Sequence, residues 1–166
     1  CSHEEYFASH LPGILKQYIE CGKAISFLHQ SGFRHGDIRR DHILVEYDTG
    51  LFRWIDFDYE FYLPERPFAL DILELGNLLM YLVARGNYHP VEVFEDPKLG
   101  QKVLDTLVPD DLSLLSKNRV VNLQKLFPYI PDAMNNIFMH FSKGASVWYD
   151  TVDELIEDVE QVAASL

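Results

Sequence analysis

The stretch from Phe33 to Phe61, FRHGDIRRDHILVEYDTGLFRWIDFDYEF, constrains the fold of this chain more than any other. It divides into a polar loop, a strand, a turn, a return strand and a second, acidic loop. Ile43, Leu44 and Val45 are β-branched or apolar and begin the first strand. Asp48-Thr49-Gly50 is turn chemistry, and Gly50 can take a positive φ at little cost. Leu51 to Ile55 forms the return strand. A tight hairpin of this kind brings its flanking loops together at one end. Asp37, Asp41 and His42 come from the first loop, Asp56 and Asp58 from the second. Carboxylates gathered beside Arg34, Arg39 and Arg40 suit a metal-bound phosphate.

The rest of the chain reads as helical. Residues 1 to 10 are a short helix or lead-in. Leu11 to Gln30 has apolar residues at helical spacing, Pro12 in its first turn and Gly32 past its end. Asp71 to Arg85 is apolar around its circumference, the mark of a buried central helix, with Gly86 as its stop and Asp71 as an N-cap or a bridge. Residues 87 to 97 read as loop. Leu99 to Leu107 is a helix, Pro109-Asp110-Asp111 starts a short one, and Asn118 to Phe127 is periodic. Asp132 to Ser142 and Thr151 to Ala164 complete the set. In the last, Thr151 and Glu154 make a capping box, and the acidic face is a solvated face.

Length decides domain count. The 166 residues suffice for a single domain, 1–166, with a real core, and a 48% hydrophobic content is globular. The net charge of −12 argues against nucleic acid or an anionic membrane as partner. Cys1 and Cys21 make no disulfide framework, and no apolar run approaches membrane-spanning length. A reducing, cytoplasmic setting is the default expectation. A first residue of Cys1 rather than Met suggests a piece of something longer.

The Phe33–Phe61 stretch resembles the catalytic and metal-binding loops of protein kinases. His35-Gly36-Asp37 sits where that family has H-R-D, Ile43-Leu44-Val45 follows as its strand does, and Asp56-Phe57-Asp58 stands in place of D-F-G. The H-G-D form is also similar to small-molecule, aminoglycoside-type phosphotransferases and some bacterial kinase-like proteins. The helix from Asp71 resembles the D-x-W-S-x-G helix of the large lobe, and residues 130 to 159 resemble that lobe's end. The fold this implies is mainly α: a protein-kinase-like C-terminal lobe with a small β-hairpin at its catalytic edge.

The resemblance also implies roles. Asp37 is the catalytic carboxylate that accepts the proton of the attacking hydroxyl. Arg39 takes the place of the lysine that steadies the transferred phosphate, and its other reading is a solvated loop arginine. His42 stands where the family's asparagine binds a second magnesium, and imidazole is a poor ligand for that ion. Asp56 matches the magnesium-holding aspartate. Asp58 is a further cation ligand or a turn aspartate, the two readings being even. His35 is structural, and Asp71 anchors the catalytic-loop backbone while Gly76 permits close packing. Gly36 replaces an arginine that meets a phosphorylated segment; residues 57 to 70 hold no Ser or Thr for it to meet. Tyr59 and Tyr62 are the hydroxyls left there, with aromatic packing favoured over modification. Trp148 fills the place of a loop arginine.

No glycine-rich phosphate loop and no strand lysine occur in the chain. The leading expectation is a serine/threonine-kinase-like transferase region that uses ATP and magnesium only when completed by an N-terminal lobe, and is inactive alone. The rivals are a non-catalytic pseudokinase scaffold and a small-molecule kinase, the latter favoured by the short interval before Asp71. The N-terminal lobe, or a protein partner, is expected at the exposed catalytic edge. Apolar groups of the hairpin and of the first helix's start would then form a patch prone to self-association.

Overall fold

The computed structural model describes residues 1–58, 60 and 64–166. Tyr59 and Tyr62 lie outside the described residues. Among those described, the protein is mainly helical with one small two-stranded antiparallel sheet.

A short helix, α1 (His3–Ser9), opens the chain. Ser2 accepts the Glu5 N–H and the Glu5 side chain accepts the Ser2 N–H, so the cap is closed in both directions. Next comes α2 (Leu11–Gln30), with Pro12 in its first turn and Gly32, at φ +80, just past its end. Leu11 and Leu15 at its start are wholly buried. The apolar edge expected there is therefore core, because α1 packs across it.

The hairpin pairs β1 (Ile43–Val45) with β2 (Phe52–Trp54), Leu44 opposite Arg53. Gly50 takes φ +71 in the turn. Trp54 Nε1–H donates to the Cys21 carbonyl at 3.0 Å and fastens the hairpin to α2.

The central helix α3 (Ala69–Ala84) begins two residues before Asp71. Asp71 thus lies within the first turn and makes no cap for its own helix. At the other end Arg85, not Gly86, takes the left-handed conformation, at φ 57. The Arg85 and Gly86 N–H groups both close back on the Tyr81 carbonyl. Gly76 faces Phe141 so closely that a Cβ would stand 2.4 Å from the ring.

Beyond α3 the periodicity reading needs correction. Residues 87–97 contain a helix, α4 (Pro90–Glu95), with Pro90 at its start and the Glu92 carboxylate accepting the His89 N–H. The helix after it, α5 (Gly100–Leu104), is shorter than the apolar pattern suggested. Residues 118–127 form only one 3-10 turn, Leu123–Lys125. Val120 instead bridges Leu112 in extended form, and Val120, Val121, Leu123 and Leu126 are buried. A segment enclosed by core buries apolar residues on several sides and mimics helical spacing.

The chain ends in α6 (Asp132–Met139) and α7 (Val152–Ala163). Thr151 and Glu154 close the α7 cap box. Val152, Leu155, Ile156, Val159 and Val162 bury one face of α7, largely against α2. Each such side chain contributes about 1.5–3 kcal/mol by leaving water. Among the described residues no helix is long and apolar enough to cross a membrane.

Candidate active site at the open end of the hairpin

Asp71 organises the site. Its buried carboxylate accepts the His35 N–H on Oδ2 and the Gly36 N–H on Oδ1, each at 2.7 Å. His29 Nε2 lies 2.8 Å from Oδ2. Burial by itself pushes the Asp71 carboxyl up, but His29 and the two backbone N–H groups outweigh it and hold the carboxyl below its usual range. One turn further along α3, Glu74 Oε2 accepts the Ile38 N–H at 2.7 Å. These three N–H groups tie the backbone of the first loop to α3.

His35 is closed to solvent. Its ring stacks on Phe57 at 4.5 Å and meets Trp54 edge-on at 5.1 Å. Nδ1 accepts the Asp37 N–H at 3.3 Å, so the neutral ring carries its proton on Nε2. Nε2 has no hydrogen-bond partner of good geometry among the described residues. Burial lowers the His35 pKa against the pull of Asp71, which keeps the ring neutral. The ring holds the two loops together and is out of reach of any substrate.

Gly36, at φ +83, lets the loops touch. A Cβ at this position would stand 1.7 Å from the Asp58 carbonyl oxygen. The Asp58 N–H donates to the His35 carbonyl at 2.7 Å. An arginine, or any other side chain at 36, is incompatible with this backbone contact.

Asp37 and Asp56 face each other across the ring of His42. Asp37 Oδ2 lies 3.5 Å from Nδ1, and Asp56 Oδ2 lies 3.8 Å from Nε2. Both carboxylates therefore lie at the same end of the hairpin. His42 Nδ1 is 2.9 Å from the Asp37 carbonyl oxygen, and Nε2 is 2.6 Å from Arg39 Nη2. These partners select the tautomer in which Nδ1–H donates to the carbonyl and Nε2 accepts from Arg39. In this arrangement the imidazole lone pair is already used. Arg39 Nε also lies 3.3 Å from Asp37 Oδ1 and 3.8 Å from Asp41 Oδ1.

Asp56 takes φ 56, a left-handed conformation that aspartate tolerates better than most residues. Its carboxylate is exposed. Asp58 Oδ1 accepts the Glu60 N–H at 2.8 Å, a turn-forming use of the side chain. Among the described residues no group of three or more His, Cys, Asp or Glu is arranged to hold a metal ion. An exposed carboxylate here that could hold a cation is Asp56, and the ion's other ligands would have to come from water and a bound phosphate. Magnesium is commonly held in that way.

Sequence reasoning missed part of the site. The missed residues are Glu74, Asn77 and Tyr81, which continue from Asp71 at spacings of three and four and form a polar row along an otherwise apolar helix. That spacing was the available signal, and it qualifies the reading of α3 as apolar all round. Burial pushes the Glu74 carboxyl up to about 7; the Ile38 N–H opposes this, while Asp71 and Asp37 add to it. Arg119, buried beside this row, had no signal in its own stretch. Comparison of the chain with protein-family models, with curated proteins and with solved structures returns no match.

Proposed function

We propose that this chain is the acceptor-side lobe of a kinase-like phosphotransferase, with Asp37 as the carboxylate that receives the acceptor's proton. The observation that supports this is the pairing of Asp37 and Asp56 on the two sides of His42, held by the Asp71 clamp on the first loop. Phosphoryl transfer asks a protein mainly for positioning and for charge compensation. Asp37 is half-buried and oriented by contacts to Arg39 and His42, so its carboxylate is presented in one geometry. Asp56 would hold magnesium, and Arg39 would lie against the transferred phosphate once it releases His42. Bound ATP and magnesium would supply the phosphoryl group and the cation that neutralises it.

The chain carries no glycine-rich loop or strand lysine. We therefore expect no measurable transfer by the 166 residues alone and weak binding of Mg-ATP. Each missing electrostatic contact costs on the order of 3 kcal/mol of transition-state stabilisation, or ~10²-fold in rate. A pseudokinase scaffold is the second reading, favoured by the engagement of His42 with Arg39. Calorimetric titration separates the two. The phosphotransferase reading expects ATP binding that needs magnesium and disappears in Asp56→Asn. Binding indifferent to both, or no binding at all, leaves the scaffold reading standing. With an upper lobe supplied in trans, transfer should appear and be abolished by Asp37→Asn.

A further inference from the structure

Between the first loop and α3 lies a cavity of about 410 Å³. Three of the chain's seven arginines, Arg39, Arg40 and Arg119, line it, although the chain as a whole carries a net charge of −12. Arg119 is only 5% exposed. Its guanidinium has one side-chain partner among the described residues, Asn77 Oδ1 at 3.4 Å, and no carboxylate within ion-pair reach. Burial brings its pKa down to about 10, and no neighbouring acid offsets the shift.

A buried guanidinium without a counter-charge is costly, and native proteins pair such groups. Neither carboxylate that lines this cavity, Asp41 or Glu74, pairs with Arg119. Glu74 accepts the Ile38 N–H, and Asp41 is exposed beside Arg39. The cavity itself is where the absent counter-charge belongs. Arginine matches the geometry of phosphate and carboxylate oxygens. Asn77 and Tyr81 add neutral groups suited to hydroxyls. Arg40 stacks over Tyr81 and donates to its hydroxyl, which closes one side. Arg39 lines the cavity and also lies 3.3 Å from Asp37, so the two sites are continuous. The volume is that of a small-molecule pocket.

We propose that this cavity is the acceptor site, taking a small hydroxylated molecule that carries a phosphate or carboxylate group, with the anionic group seated on Arg119 and the hydroxyl toward Asp37. The acceptor role rests on the phosphotransferase reading above, whereas the anion site does not. In the transfer, the acceptor oxygen bonds to the γ-phosphorus of a nucleoside triphosphate and its proton passes to Asp37. The bond to the leaving β-phosphate oxygen breaks, and the diphosphate departs with the electron pair.

Titration of the full chain with inorganic phosphate, a hexose 6-phosphate, a hexuronate and the uncharged hexose, followed by amide and guanidinium NMR shifts, tests this. Expected are saturable shifts at Arg119, Arg39 and Arg40 with at least one of the two charged sugars and none with the hexose. The two charged sugars tell phosphate from carboxylate. Arg119→Met should weaken binding by about tenfold or more. Arg40→Ala, at an exposed position whose loss spares the core, should weaken it several-fold, which guards against a misfolded Arg119→Met. No saturable binding of any anion, or binding unchanged in both variants, overturns the proposal. Anion binding that needs Arg119 while Mg-ATP fails to bind would sink the phosphotransferase reading and the acceptor role, and leave an anion site. Mg-ATP binding that needs Asp56, with no anion bound, would sink this inference alone.

Discussion

Two carboxylates one helical turn apart, Asp71 and Glu74, both receive backbone N–H groups, yet they titrate in opposite directions. Asp71 collects His29 and two N–H groups, and its carboxyl is held low. The stability it provides is present above the usual carboxylate range and is lost as pH falls through its lowered folded value. Glu74 collects one N–H and faces Asp71 and Asp37, so burial prevails and its carboxyl rises from 4.5 to about 7. Between those values the folded protein keeps a proton that the unfolded chain gives up. Glu74 therefore makes stability fall as pH rises from about 4.5 to about 7. Glu74→Gln keeps an oxygen for the Ile38 N–H and removes the charge. Urea melts across this window should slope downward in the wild type and be distinctly flatter in Glu74→Gln; equal slopes would refute the assignment.

At the level of elements, α3 depends on the absence of a side chain at 76. Alanine in a helix interior is better than glycine by about 1 kcal/mol. Here that gain meets a Cβ 2.4 Å from the ring of Phe141, itself buried. Overpacking of this kind costs about 1–3 kcal/mol. The second effect wins, so Gly76→Ala should lower stability by up to about 2 kcal/mol net, measured by chemical denaturation. A stabilised variant would mean that α3 and Phe141 can separate. Because α3 also carries Asp71 and Glu74, a shift of the helix should disturb the Ile38 and Gly36 amide resonances too.

For the molecule as a whole, the hairpin is the unprotected side. Leu44, Val45 and Leu51 are exposed, and Tyr47 is fully so. An apolar strand edge in solvent is a template for association. The net charge of −12 opposes it by repulsion between copies, and salt screens that repulsion. Sedimentation equilibrium should show self-association that grows with ionic strength and is lost in Leu44→Lys. A clean monomer at high protein concentration and high salt would count against an interaction surface there.

How much of this was legible depended on the range of the physics involved. Periodicity, turn chemistry and caps act within a few residues, so α2, the hairpin with its Gly50 turn, and α7 with its Thr151–Glu154 cap can be read along the chain. The sequence also puts Asp37, Asp56 and Asp71 in segments that the fold brings close together. What those groups meet is settled by folding. It turned Asp71 away from its own helix end and onto the backbone of His35 and Gly36, and it committed the His42 lone pair to Arg39. It also brought Arg119 forty-two residues along the chain to Asn77. Such contacts depend on how separated segments pack and which solvent they exclude. Burial then raises the pKa of the Glu74 carboxyl and lowers that of the Arg119 guanidinium, and neither shift is a property of the residues beside them in the chain.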